Sequence, residues 1–385
     1  MPNITKTHGH RVGLLFSRHS MTAAVETTQA QASVLAIDEI NQRGGVLGQP
    51  LTALLPDIGA SPDHYRQAAL RLCDEHSVQA LFGTHMSSTR KAVLPVIESR
   101  RVPLFYPTLY EGFEFSPLCW YTGATPNQNA FAMARYVMAR YGKRVLFIGV
   151  PYIYPVESNR VMRELFQQAG GEVLDELYLP FGASAEQYRQ VMERVASLAP
   201  DAIYSTVVGA DIPTLYGAYY QAGLEPARMP IISLSTNEAE VAQMPPAHAA
   251  GHLCAAPWFD TVQTPASRAF VAAYRARHGA AAPITAAAEA AYFQVHLYAQ
   301  AVELAGSSEP GALREAWPRC GWRRPRGRYT LTVKPSIAGY GRAWRGSIAR
   351  VVSSSSTRRP EPCVLVPICS TMICGAAYDG CRSPG

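Results

Sequence analysis

The stretch Arg11-Val-Gly-Leu-Leu-Phe16 is a short apolar run, and together with the periodic segment after it this run decides the fold. Across residues 26–43, Ala30, Val34, Ile37 and Ile40 recur at spacings of three and four, the period of a helix with one buried face. Gly44-Gly45 closes that helix, because glycine takes the left-handed conformation that a helix end needs. Leu51-Thr-Ala-Leu-Leu55 is then a second strand. Strand, helix and strand in succession predict parallel α/β layers.

Working outward, Ser61 opens a helix over 62–76, and 80–82 is a third strand. Ser87 or Ser88 is expected to cap a helix running to about Arg100, kinked at Pro95, before a strand over 103–106. The pattern then restarts. Helices at 127–141, 158–169, 185–198 and 213–222 alternate with strands at 145–150, 173–179, 202–206 and 231–234. Further helices span 264–278 and 286–305. Two similar series predict two doubly wound lobes rather than one large sheet. The expected boundaries give residues 1–121 and 252–327 to the first lobe and 122–251 to the second. Residues 328–352, with weak strands at 329–333 and 347–352, could add to the second lobe, and 353–385 is expected to be a disordered tail.

The length of 385 residues fits two domains at roughly 100–200 residues each. A hydrophobic share of 48% against 17% charged is enough to bury a core, which excludes global disorder. No apolar run reaches the ~18 residues that a membrane span needs. The polar start, residues 1–11, leads into an apolar run too short for a signal-peptide core, so a cytoplasmic location is expected. The charge is unevenly spread. Residues 316–385 carry 12 Lys and Arg against only Glu361 and Asp379, a net +10, while the rest of the chain is at −4. Five of the 8 cysteines (Cys320, Cys363, Cys369, Cys374 and Cys381) fall in this segment, without a CxxC pair or a histidine to make a metal site. A basic nucleic-acid arm is one reading of this tail; a shifted reading frame is the preferred one. These cysteines are expected to be free and exposed.

Catalytic signatures are missing: there is no GxSxG, HExxH, P-loop or GxGxxG, and no nucleophile–base constellation, so an enzyme is not expected. No cofactor or metal is expected either. His248 and His252 stand four apart, but Pro245, Pro246 and Gly251 argue against a helix there. Glu238 and Glu240 could share one side of a strand. More informative are polar and aromatic residues just past the predicted strands: His85 to Arg90, Tyr106 to Gly112, Tyr152 to Pro155, and Val207 to Gly209. In open α/β sheets ligands bind beyond the carboxyl ends of the strands, where helix N-termini offer free N–H groups. Tyrosines at matching positions in both lobes point to a shared cleft.

The same residues carry a resemblance. Met86-Ser-Ser-Thr-Arg-Lys-Ala-Val-Leu-Pro95, Tyr106-Pro-Thr-Leu-Tyr-Glu-Gly-Phe-Glu114, Tyr121-Thr-Gly-Ala-Thr-Pro-Asn-Gln-Asn129 and Tyr152-Ile-Tyr-Pro-Val-Glu-Ser-Asn159 resemble the amide- and urea-binding branch of type I periplasmic-binding-protein folds. Within that branch they are most similar to cytoplasmic amide sensors that negatively regulate aliphatic amidase operons. The sister group is the solute-binding subunit of transporters for urea, short-chain amides or amino acids. The resemblance implies two lobes joined by three crossings and closing on a small amide or urea. His85, Ser87, Tyr106, Thr108, Tyr154 and Val208 would line the pocket, with Tyr152 and Thr236 a layer behind. At position 85 the family has an aromatic residue, so His85 is a departure. The implied partner is an RNA-binding antitermination regulator; direct contact with nucleic acid or membrane is not implied, and self-association is compatible. From about Trp317 the family's expected sequence is no longer recognisable.

Overall fold

A computed structural model describes residues 9–112 and 114–320, and the backbone of 332–335. The chain begins β1 (His10–Leu15), α1 (Ala23–Gln42), β2 (Leu51–Leu54), α2 (Pro62–Asp74), β3 (Ala80–Gly83), α3 (Ser87–Arg100), β4 (Leu104–Tyr106) and β5 (Cys119–Tyr121). These five strands form one parallel sheet in the order β2-β1-β3-β4-β5. The second series is α4 (Pro126–Arg140), β6 (Arg144–Gly149), α5 (Ile153–Gln168), β7 (Glu172–Tyr178), α6 (Ala185–Leu198) and β8 (Ala202–Ser205). It continues with α7 (Ile212–Gln221), β9 (Ile231–Ser233), α8 (Glu238–Val241), α9 (Pro246–Ala249) and β10 (Leu253–Ala256). Its strands order as β10-β9-β8-β6-β7, again parallel.

Both sheets therefore reverse their winding beside their first strand, the arrangement that leaves a crevice at the strand ends. The predicted two-lobed, doubly wound α/β fold is what the structure shows. After β10 the chain returns to the first sheet with α10 (Pro265–His278), α11 (Ala286–Ala305) and α12 (Pro310–Ala316). It crosses back so that β11 (Thr332–Pro335) pairs antiparallel with β10. The crossings thus follow β5, follow β10, and lie between Cys320 and Thr332.

Local chemistry explains most boundaries. Ser61 accepts the His64 N–H while the His64 imidazole takes the Ser61 N–H, a reciprocal cap in which histidine does the work of the usual Glu or Gln. Ser184 and Gln187 cap the start of α6 in the same way. Gly83 ends β3 where a Cβ would stand 2.5 Å from the Leu15 carbonyl oxygen. In α1 the deeply buried row is Gln29, Ser33, Ala36 and Ile40, with Ala30 and Val34 only half-buried. The apolar period located the helix but not its deepest face, because α11 packs along its flank as well as the sheet beneath. Phe82, Phe105 and Trp120 stack across β3, β4 and β5, and Tyr298 of α11 meets Phe82 and Phe105 edge-on.

Several expectations are corrected. The cap of α3 is Met86, and no side chain caps it, because the Ser87 hydroxyl is committed elsewhere. Glu238 and Glu240 lie on the short helix α8 rather than a strand, and His248 sits in the short helix α9 despite the two prolines. β5 and β10 are strands without a sequence signal of their own, and α5 begins at Ile153 rather than Ser158. The boundary drawn at 252 places β10 in the wrong lobe, since it pairs with β9. Trp317, where a break is expected, still belongs to the fold: its ring packs against Phe105 and Trp120. β11 overlaps the weak strand read at 329–333 and joins the second sheet. Cys320 is free but half-buried rather than exposed. The strand read at 347–352, the segment 353–385 expected to be disordered, and Cys363, Cys369, Cys374 and Cys381 lie outside the described residues.

Candidate functional site

The carboxyl ends of the strands from both lobes meet around a cleft of about 760 Å3, counting the space that opens to solvent. The first lobe contributes His85 and Ser87 from the segment after β3, Tyr106 from the end of β4, and Thr108 just beyond it. The second contributes Tyr154 and Val208, after β6 and β8. The structure thus brings all six sequence-predicted residues to one surface. Tyr152 and Thr236, expected a layer behind, line the cleft directly. Sequence reasoning missed Ser235, Cys254 and Phe259, and also Gln29 behind the wall, and it noted Glu238 without placing it in the cleft. Glu26, Gln29 and Ser33 recur at helical spacing on a buried face, a polar signal hidden by reading only the apolar positions.

Each wall residue is held by identifiable bonds. The Tyr106 hydroxyl donates to the His85 carbonyl oxygen at 2.8 Å, so tyrosine fixes the loop and shows the cleft its ring. Ser87 opens α3 and donates its hydroxyl to Glu111 Oε2 at 3.0 Å. Arg90, fully buried, donates to Glu111 Oε1 at 2.7 Å and to Glu114 at 2.9 Å, and lies over the Tyr106 ring at 4.7 Å. The charge behind Ser87 is therefore paired, and Ser87 presents lone pairs to the cleft rather than its proton. Arg90 is the first amide of α3 bonded back along the helix, to Met86 at 3.0 Å. The N–H groups of Ser87 to Thr89 precede it and have no intrahelical partner. Across the cleft, the buried Tyr154 hydroxyl stands beside Ser235 and Ser158.

The site is nearly uncharged. Burial pushes the His85 imidazole down to about 3, so it is neutral at physiological pH. Burial also raises the phenols, Tyr154 up to about 12, and Tyr106 and Tyr152 are likewise raised. Glu238 is the carboxyl of the lining, and Glu240 beside it is pushed by burial up to about 8. Among the described residues no Lys or Arg reaches the lining. Among the described residues no group of three or more His, Cys, Asp or Glu side chains could hold a metal ion, and no helix is long and apolar enough to cross a membrane.

A cleft of polar and aromatic groups between two doubly wound lobes is the architecture of solute-binding proteins, and the comparisons agree. Residues 10–340 match the periplasmic binding protein domain, and the chain belongs to that family. The match continues past Trp317, where recognisable family sequence was expected to end. A curated relative, the "Leu/Ile/Val-binding protein homolog 6" of Brucella abortus (strain 2308), is 23% identical over 276 residues, 70% of each chain. Among solved structures, an ABC-transporter solute-binding protein from Rhodopseudomonas palustris HaA2, in complex with p-hydroxybenzoic acid, superposes with a TM-score of 0.78 at 19% identity, covering 85% of this chain and 92% of that one. The branched-chain amino acid transporter substrate-binding protein of Streptococcus pneumoniae, with isoleucine, gives 0.75 at 20% identity, covering 84% and 95%. At this identity the likeness concerns the fold. These relatives are binding proteins, not enzymes.

Proposed function

We propose that the protein is a solute-binding component of a transporter, and that its cleft takes a short-chain amide or urea. The observation that carries the ligand is the pairing of donors and an acceptor on the first-lobe wall: free N–H groups at the start of α3 can donate to a carbonyl, while Ser87 Oγ can accept from an NH2 group. Each neutral hydrogen bond contributes only about 0.5–1.5 kcal/mol net. Discrimination then comes from buried groups that the wrong ligand leaves unpaired. The role in transport is supported by the solved structures of similar fold, which are binding proteins of transporters.

A second reading keeps the same cleft but gives it a regulatory output. The motifs over 86–95, 106–114, 121–129 and 152–159 favour a cytoplasmic amide sensor, in which an RNA-binding antiterminator binds the open form and amide favours the closed one. A thermal-shift screen over acetamide, urea, butyramide, isoleucine and 4-hydroxybenzoate tests the ligand. A ligand at about a hundred times its Kd stabilises by about 2.7 kcal/mol, enough to see. Stabilisation by isoleucine or 4-hydroxybenzoate alone would overturn the amide reading. Binding of the purified protein to its permease rather than to an antiterminator, whichever is encoded beside it, separates the two outputs.

A further inference from the structure

His85 is the lining residue whose chemistry is set from behind. Its Nδ1 lies 2.9 Å from Gln29 Oε1 and 3.4 Å from Thr108 Oγ1. Gln29 is fully buried in α1, and its Nε2 donates to Thr108 Oγ1 at 3.2 Å. Thr108 passes its hydroxyl proton to the Thr84 carbonyl oxygen at 3.2 Å. The bond from Thr108 to the Thr84 carbonyl oxygen sets the direction of this chain. A backbone carbonyl can only accept, so Thr108 spends its one proton there and must accept from Gln29. The Gln29 amide then turns its NH2 group to Thr108 and its oxygen to His85, and a carbonyl oxygen facing a ring nitrogen needs a proton on that nitrogen.

We infer that Thr84, Thr108 and Gln29 lock His85 as the Nδ1–H tautomer, which leaves Nε2 as a fixed hydrogen-bond acceptor in the cleft. Gln29 is thereby a positioning residue for specificity, since the group recognised by His85 must be an N–H donor such as the NH2 of a primary amide. This deepens the proposed function and rests on it for the ligand, but the tautomer is a property of the protein alone. No described protein group is bonded to Nε2. The ionisable groups around the cleft are Tyr106, Tyr152, Tyr154, Glu238 and Cys254, with Glu111 behind Ser87 and paired to Arg90. None of their hydrogen bonds goes to the imidazole ring. The ring stays neutral because burial alone disfavours its cation. Affinity for an amide through this contact is accordingly flat across neutral pH.

The direct test is side-chain 15N NMR of the ligand-free protein, with His85 assigned by its loss in His85→Asn. A protonated Nδ1 and an unprotonated Nε2, unchanged between about pH 6 and pH 8, are expected. A proton on Nε2, or titration of the ring in that range, overturns the inference whether or not any amide binds. In calorimetry, acetamide should bind at least about a hundredfold more tightly than N,N-dimethylacetamide, which keeps the carbonyl but has no N–H. Equal affinities would also overturn it. Gln29→Glu supplies the counter-test. A carboxylate at Nδ1–H favours the imidazolium, which converts Nε2 into a donor. Acetamide affinity should then fall about tenfold or more at pH 6 and recover towards pH 8, whereas the wild type stays level. A uniform loss at both pH values in a folded variant would mean that Gln29 only packs. If Gln29→Glu does not fold, the NMR result on the wild type stands alone as the test.

Discussion

Ser87 shows how one side chain can be read from sequence and still be misassigned in its role. Its position ahead of a helical run marks an N-cap, yet the hydroxyl donates to Glu111 and the helix starts uncapped at Met86. The reason is long-range: Arg90, one turn on, draws Glu111 into the core, and no local pattern reports that pairing. Ser87→Ala should weaken acetamide binding about tenfold in calorimetry, the loss of ~1–2 kcal/mol that a buried hydrogen bond carries. Unchanged affinity would remove Ser87 from the site. His85 was legible as a departure from the family pattern, but its tautomer was not, because the partner Gln29 is far away in sequence and hidden on the buried side of α1. Glu240 makes a prediction about pH. Its folded pKa of about 8 lies above the ordinary carboxyl value, so the neutral form stabilises the fold fully below about pH 4.5, and that stability is lost as pH rises towards 8. Thermal melts should therefore show Glu240→Gln gaining on the wild type as pH goes from 6 to 8. A difference independent of pH would contradict the shift.

At the scale of elements, the long helices and the buried strands were legible because their apolar periods and caps are local. α11, predicted over 286–305, is found there, opened by Thr285, which accepts the Ala288 N–H at 3.0 Å. β5 and β10 escaped for a physical reason. Each is short, three and four residues, and their identity as strands comes from pairing with β4 and β9 rather than from any pattern of their own. α5 starts early because Pro155 is acceptable in a first helical turn, so Tyr154 reaches the cleft from a helix and not from a loop. The rigidity of β4 matters to the site, since it delivers Tyr106 and leads to Thr108. Phe105, stacked between Phe82 and Trp120, should therefore be costly to truncate. Phe105→Ala is expected to lose about 3–5 kcal/mol in urea denaturation. A loss below about 1 kcal/mol would mean that the ring stack is not what holds β4.

At the scale of the molecule, two lobes and their windings were readable from the repeated strand–helix series, but the exact handover between lobes was not. It falls after β10 because that strand completes the second sheet, and β11 then closes its edge, which a bare strand would leave open to pairing with other chains. The lobes touch beyond the ligand cleft: the Ala210 N–H donates to the Met21 carbonyl oxygen at 3.0 Å. Gly209, with φ +60, sits where a Cβ would come within 2.2 Å of that same oxygen. Gly209→Ala should thus oppose closure, lowering ligand affinity and the ligand-induced decrease in radius of gyration seen by small-angle X-ray scattering. An unchanged decrease would show that this contact does not take part in closure. The central claim is that the cleft is built for a neutral amide, and calorimetry of acetamide against acetate tests it most directly. The two are close in size and differ chiefly in replacing an NH2 donor by a charged acceptor. The account predicts saturable binding of acetamide with acetate at least about a hundredfold weaker. Tighter binding of acetate, or of isoleucine in the same titration, would contradict it.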